Sequence, residues 1–200
     1  DGQRGQLRLR RALDLARVPA EDARALRRSG RGLLLRGRGG LPRGQLSEIS
    51  GTRSSGRTTL LLQLLAGATR RGEIAAIVDT FDRLDIRSAS DAGIALDRLL
   101  WVRGQAVTRM HESGLSAHPD AWGAVAGPAG LFDRTIDRAL KALNLVLQAG
   151  GFGVVAIDLA DVPSSVLRRI PFTTWLRVQR AVEGSDTACV LIVPEPLARS

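Results

Sequence analysis

Residues 50–60 read Ser-Gly-Thr-Arg-Ser-Ser-Gly-Arg-Thr-Thr-Leu, and this glycine-framed segment constrains the fold of the chain more than any other. It lies between an apolar strand-like run and an apolar helix-like run. Its spacing matches the phosphate-cradling pattern GxxxxGK[ST] at every position but one, because Arg57 stands where the pattern has lysine. Such loops bind phosphate groups through backbone N–H groups and the start of the following helix, so the segment predicts a nucleotide site of degenerate type.

Each residue of the loop has an expected role. Gly51 and Gly56 let the backbone curl around phosphates, and Thr58 offers its hydroxyl to Mg²⁺. Arg57 keeps the positive charge but is a larger, planar fork, so the sequence leaves open whether nucleotide binding is retained. An acid that ends the strand at 153–158 is expected to hold Mg²⁺ through water. The predicted nucleotide-site residues are Gly51, Ser54, Ser55, Gly56, Arg57, Thr58, Thr59 and Asp158.

From residue 31 onward, strand-like and helix-like segments alternate, which is the order that builds a parallel sheet with crossover helices. We therefore predict an α/β core domain over residues 31–200, with helices on both faces of a central, mainly parallel sheet. Residues 103–131 show no clean period and are predicted to form a surface loop. The predicted strands cover 45–50, 74–79, 99–102, 153–158 and 188–193, and the main predicted helices cover 56–71, 89–96 and 132–149.

Residues 1–30 form a separate predicted unit, a short N-terminal helical arm. Leucines alternate with arginines in its first half, and Pro19 begins a second short helix that ends at Arg28. This pattern indicates a docking element that carries an apolar side. The predicted partner-docking residues are Leu7, Leu9, Leu13 and Leu15.

The chain is strongly basic, with 29 Lys and Arg residues against 20 acidic ones and a formal net charge of +9. Such a field favours nucleic acid or an acidic protein surface, and a genome with arginine-rich coding produces the same composition without selection for binding. Cys189 is the only cysteine, which excludes an intrachain disulfide, and its apolar strand suggests a buried thiol. His111 and His118 have no acid or cysteine arranged around them, so no metal site is predicted.

The expected location is the cytoplasm. The sequence contains no run of eighteen apolar residues, and its basic first residues lack the apolar segment of a secretory signal. We therefore expect no membrane partner.

The segments around the loop resemble the ATPase core of RecA recombinases. The run GLPRGQLSEISG at 40–51 leads into the loop. Further along the chain, Ala76-Ile77-Val78-Asp79 is followed by Leu84-Asp85, and this pattern also resembles the recombinase core. The resemblance spans roughly residues 38–103 and 132–195. It implies a RecA-like phosphate-loop fold, an ATP and Mg²⁺ site, and a DNA-binding loop after the fourth strand.

Four functional positions depart from the recombinase pattern. Besides Arg57, Phe81 stands where the resemblance places the glutamate that positions the attacking water, and the neighbouring Asp82 is expected to point elsewhere. Ser88 replaces the tyrosine that stacks on adenine, and Glu195 lies near the place of the glutamine that senses the γ-phosphate. Together these changes imply that fast ATP hydrolysis is lost, so we expect no required cofactor and at most weak binding of ATP and Mg²⁺.

Short RecA-like proteins with this appearance are similar to the ImuA type, and cell-division inhibitors of the SulA type are also short and RecA-like. The ImuA resemblance implies a non-hydrolysing accessory role in SOS translesion mutagenesis, through contacts with RecA or with an ImuB-type polymerase homologue. RecA protomers lend an N-terminal helix and strand to a neighbour's core, so the arm at 1–30 is the expected docking element. Two alternatives remain open, a slow DNA-dependent ATPase and a charge-driven single-stranded DNA-binding protein.

Candidate DNA contacts follow the fourth predicted strand. Arg168 and Arg169 could bind phosphates beside Phe172 or Trp175, as basic and aromatic residues do in single-strand channels. The same segment also fits a docked helical turn, in which Val166 and Leu167 are buried and both arginines are merely solvated.

Overall fold

A single parallel sheet organises the protein. The computed structural model describes residues 41–104 and 128–197, and all five strands in these ranges belong to that sheet. The sheet order is first, fifth, fourth, second and third strand, with every pairing parallel. The elements in chain order are β1 (Gln45–Ser50), α1 (Arg57–Arg70), β2 (Ile74–Asp79), α2 (Ile86–Asp91), a 3₁₀ turn (Leu96–Arg98), β3 (Leu99–Arg103), α3 (Pro128–Ala149), β4 (Phe152–Asp158), α4 (Ser164–Leu167), α5 (Phe172–Val182) and β5 (Ala188–Val193).

The composition of the strands explains their places in the sheet. β5 reads ACVLIV and is buried at every position, so it lies in the interior between β1 and β4. A strand that is covered on both faces needs such a run, because helices pack above and below a parallel sheet. The predicted α/β fold is confirmed.

Two apolar layers enclose the sheet. On one face, α1 contributes Leu61 and Leu65 to a cluster that also contains Ile77 of β2. On the other face, α3 and α5 bury Leu143 and Trp175 against the sheet. Cys189 lies in this second layer with no exposed surface, as predicted, and burial raises the pKa of its thiol to about 12.

Two helix boundaries differ from the sequence-based prediction. The helix predicted at 89–96 is wrong in its bounds, because α2 begins at Ile86 and ends at Asp91. The Asp85 carboxylate accepts a 2.8 Å hydrogen bond from the Ser88 N–H, which caps the helix start, and Gly93 turns the chain with φ 84°. α3 begins at Pro128 rather than at residue 132, since proline suits the first turn of a helix.

Several predicted features lie outside the described residues. These are the arm with its four leucines, the boundary near residue 30, both histidines and most of the predicted surface loop. No helix within 41–104 and 128–197 is both long and apolar enough to cross a membrane.

Candidate nucleotide site

The phosphate loop, residues 51–57, joins β1 to α1 at the carboxyl edge of the sheet. The Gly51 N–H donates to the Val193 carbonyl at 3.2 Å, which anchors the start of the loop to β5. Gly56 caps α1 with φ 93°, and Ser54 has φ 64°. These left-handed conformations fold the backbone into the concave turn that phosphate loops require.

The side chain of Arg57 folds back over this loop. Only 7% of Arg57 is exposed, and its Nη1 donates to the Gly51 carbonyl at the loop's start. Its Nη2 donates to the Ala160 carbonyl, 3.2 Å away, in the segment that follows β4. The guanidinium group thus bridges two separate chain segments through backbone acceptors.

Two acids end neighbouring strands beside the loop. Asp79 of β2 is paired in register with Asp158 of β4. Both carboxylate oxygens of Asp79 accept hydrogen bonds. Oδ1 accepts from the Arg83 N–H at 2.8 Å, and Oδ2 accepts from the Leu84 N–H at 2.8 Å and from Trp101 Nε1 at 3.1 Å. It is therefore built into the β2–α2 connection as a structural acceptor.

Asp158 has a different environment. Burial raises its pKa to about 6, and the negative charges of Asp79 and Asp161 act in the same direction. The Ala160 N–H donates to Asp158 Oδ1 at 2.9 Å, and this bond and the charge of Arg57 oppose the rise in pKa. A partly buried carboxyl with a raised pKa in a cleft is typical of a functional site.

These groups surround one cleft of about 500 Å³, a volume in the range of small-molecule sites. Its apolar side comes from α1 and from the connection after β2, and its polar side from the loop and the strand ends. The lining residues are Arg57, Thr58, Thr59, Leu61, Leu62, Ile77, Asp79, Phe81, Arg83, Leu84, Asp85, Ser88, Asp158, Ala160 and Asp161.

Phe81 occupies the position at which the resemblance places a catalytic glutamate. It is 6% exposed, and its ring packs edge-on against Phe132 with 5.9 Å between the ring centroids. The next residue, Asp82, has φ 56° and turns away, so that both its carboxylate oxygens accept from Arg103 at 2.8 Å. Phe81 thus offers no carboxylate at this position, and the carboxylate of Asp82 is bound by Arg103.

The other two departures are also accounted for. Ser88 lines the cleft, but its hydroxyl donates to Asp85 at 2.6 Å and offers no ring for a base to stack on. Glu195 forms an exposed ion pair with Arg168, with 3.0 Å between Oε2 and Nη2. The residue at the sensor position is thus paired with the segment that follows β4.

The DNA-contact candidates lie on that segment. Val166 and Leu167 are 6% and 2% exposed within α4, so the docked helical turn is present. Arg168 pairs with Glu195, and Arg169 lies 3.4 Å from Asp133 of α3. Trp175 is buried in the core and has no ring face to offer to a base, and Phe172 is partly buried against the same core. These contacts favour the solvated interpretation of both arginines.

Sequence reasoning missed three residues of the site, which are Arg83, Ala160 and Asp161. Ala160 supplies a backbone acceptor to Arg57, and Asp161 pairs with Arg83 at 3.1 Å. The partners in these contacts are 103 and 78 residues apart along the chain. Only the pairing of strand ends could have indicated them, since the residue types carry no motif.

The fold and the site define a protein of the phosphate-loop class, in which a glycine-framed strand-to-helix turn lies beside an acid-ended strand of a parallel sheet. Comparison with known proteins narrows the class. The sequence-family model of the RecA N-terminal domain matches residues 29–109 of this chain.

Curated proteins that are similar in sequence to this chain include several RecA proteins. Protein RecA of Ectopseudomonas oleovorans is 48% identical over 170 residues, which cover 78% of this chain and 40% of that protein. Protein RecA of Clavibacter michiganensis subsp. michiganensis is 50% identical over 122 residues, 61% of this chain and 26% of the relative. For a Nitratiruptor species, the RecA match is 45% identical over 64 residues and covers 32% and 19% of the two chains.

The chain is thus a RecA-like protein. It spans between 19% and 40% of the length of these three relatives.

Proposed function

We propose that this protein is a non-hydrolysing RecA-like module that acts by protein contact in damage-induced translesion mutagenesis, with RecA or an ImuB-type polymerase homologue as partner. The buried Phe81 carries the proposal, because a water-activating carboxylate is what in-line attack on a γ-phosphate needs. No described side chain takes over this role at the same place, since Asp82 is held by Arg103 and Asp79 by backbone donors.

The charge of the cleft supports the same conclusion. Four carboxylates line it, from Asp79, Asp85, Asp158 and Asp161, against two guanidinium groups. One of these, on Arg57, is already bonded to carbonyl oxygens. A triphosphate entering this cleft meets an excess of negative charge, and the described lining offers no lysine ammonium to place between its outer phosphates.

A second candidate function is weak nucleotide binding. Ser55 Oγ is buried in the phosphate loop and has no hydrogen-bond partner among the described residues. A phosphate oxygen would satisfy this hydroxyl. Binding of this kind is compatible with protein contact as the main role, whereas rapid turnover is not.

Protein contact needs a surface, and the structure offers one beside β3. An α3–β3 groove of about 270 Å³ runs between helix α3 and the edge strand. Thr80 lines it with 1% exposure, and its Oγ1 has no hydrogen-bond partner within the described ranges. Its apolar lining comes from Val78, Val102, Ala139 and Ala142. Leu100, two residues before Val102 on the same face of β3, lies outside the lining and is 43% exposed. The groove therefore combines apolar surface with an unsatisfied buried hydroxyl.

We assign this groove to the N-terminal helix and strand of a RecA partner. Among the described strands β3 pairs only with β2, so its outer edge can accept a further strand by backbone hydrogen bonds. A helix that accompanies such a strand would pack against α3, which lines the other side of the groove. The arm at residues 1–30 is the reciprocal docking element of this chain.

Binding of the purified full chain to immobilised RecA, and separately to an immobilised ImuB-type homologue, tests the proposal. Leu100→Glu places a charge at the open edge and is expected to weaken binding at least tenfold. Ile86→Glu is the matched control, because Ile86 is 44% exposed but lies on α2, whereas Leu100 lies on the edge strand β3. It is expected to leave binding unchanged.

Deletion of residues 1–30 separates the two docking elements. If the deletion variant loses binding and Leu100→Glu keeps it, the contact is made by the arm, and the groove assignment is contradicted. Failure of the unaltered chain to bind either partner at micromolar concentration would contradict the proposed function.

A further inference from the structure

Three arginines converge on two residues that follow β4. Arg57 donates to the Ala160 carbonyl at 3.2 Å, and Arg83 Nε lies 3.1 Å from Asp161 Oδ2. Arg53 of the phosphate loop approaches Asp161 Oδ1 at 4.0 Å. We call these five residues, Arg53, Arg57, Arg83, Ala160 and Asp161, the arginine clasp.

The clasp joins the three segments that border the cleft. Arg53 and Arg57 come from the phosphate loop and the start of α1, Arg83 comes from the connection after β2, and residues 160–161 follow β4. Arg57 is the buried member, whereas the side chain of Arg53 is 89% exposed. The Arg57 contacts are therefore the ones most protected from water.

Arginine is suited to this position in a way that lysine is not. A planar guanidinium carries donors that point in different directions, so one side chain can reach the carbonyls of both Gly51 and Ala160. A lysine ammonium is a single charged point at the end of a flexible stem and would hold one segment more readily than two. In a phosphate loop the same charge would face the outer phosphates.

We propose that the arginine clasp is an autoinhibitory contact, in which the Arg57 guanidinium takes the place of a nucleotide and holds the phosphate loop closed against the β4–α4 connection. The inference deepens the proposed function and depends on it for its biological meaning. The contacts of Arg57 hold the loop in this shape, and a triphosphate binds only after Arg57 releases Gly51 and Ala160. Released, the loop exposes its N–H groups and the Ser55 hydroxyl, which has no partner among the described residues.

Amide hydrogen exchange and nucleotide binding of the full chain test this device together. In Arg57→Lys, the amides of residues 51–57 and 159–162 are expected to exchange at least tenfold faster than in the unaltered protein. The same variant is expected to bind a fluorescent ATP analogue with Mg²⁺ at least tenfold more tightly. Arg70→Lys, at the other end of α1, is the matched control, and both readouts should stay unchanged because Arg70 is exposed and does not line the cleft.

Each outcome has a distinct meaning. Unchanged exchange in Arg57→Lys would overturn the clasp, and so would tighter nucleotide binding by the unaltered protein than by the variant. Neither result bears on partner binding, which the Leu100→Glu comparison measures separately. If Arg57→Lys fails to fold, Asp161→Ala removes the acceptor of Arg53 and Arg83 and leaves the Arg57 contacts in place. Faster exchange confined to the cleft border is then expected, and unchanged exchange there would overturn the clasp.

Discussion

At the scale of single residues, Asp158 is a carboxyl whose ionised form is disfavoured by its surroundings in the folded protein. Its carboxyl is partly buried at the end of β4, and its folded-state pKa of about 6 exceeds the ordinary value of 3.8. Between these pH values the folded protein holds a proton that the unfolded chain releases. The stability of the fold therefore falls progressively as the pH rises through this window.

Replacement of this carboxyl by an amide tests that interpretation. Asp158→Asn keeps an oxygen to accept from the Ala160 N–H but removes the charge. Its stability advantage over the unaltered protein is expected to be about 2 kcal/mol larger at pH ~7.5 than at pH ~4.5. Urea unfolding of both proteins at the two pH values measures the change. An advantage that does not vary with pH would contradict burial as the cause of the raised pKa.

At the scale of elements, the end of β3 depends on a glycine. The Gly104 N–H donates to the Asp79 carbonyl at 2.7 Å, which brings the two backbones together where the sheet ends. A Cβ added at Gly104 would clash with the Thr80 carbonyl group. Only a residue without a side chain lets β3 leave the sheet along this path.

A pair of alanine substitutions separates this constraint from ordinary glycine effects. Gly104→Ala is expected to lower the free energy of unfolding by about 2 kcal/mol or more, because the backbones must move apart. Gly67→Ala, in the middle of α1, meets only Arg71 Nη1 at 3.5 Å and should raise it by about 0.5–1 kcal/mol. Chemical denaturation of both variants gives the two values, and equal signs would contradict the close approach.

Elements were predictable where apolar runs were long. All five strands were placed within about one residue, because runs such as ACVLIV permit no other structure beside a phosphate loop. The start of α2 was missed because its pattern contains only one buried residue, Ala89, and the Asp85 cap decides where it begins. Polar contacts between distant segments, such as Arg57 with Ala160, depend on the sheet order and leave no local trace.

At the scale of the whole molecule, the positive charge is unevenly distributed. The described ranges contain 16 Lys and Arg residues against 14 acidic ones, whereas residues 1–40 contain eleven arginines and four acids. The folded core is therefore close to neutral. A charge-driven nucleic-acid contact would have to come mainly from residues 1–40, which agrees with the pairing of Arg168 and Arg169 within the core.

The RecA-like core and its altered site support one general description. The sheet, the loop and the acid-ended strands are present, while Arg57 stands at the lysine position of the loop pattern and the buried Phe81 stands where the resemblance places the water-positioning glutamate. The proposed function assigns to this core a role in protein contact rather than in ATP turnover.

Phosphate release from ATP by the purified full chain, with Mg²⁺ and with and without single-stranded DNA, tests this description most directly. An active RecA preparation at the same concentration serves as the positive control. The expected rate equals that of a protein-free sample under both conditions. A rate that rises with single-stranded DNA and is abolished by Asp158→Ala would contradict the loss of hydrolysis.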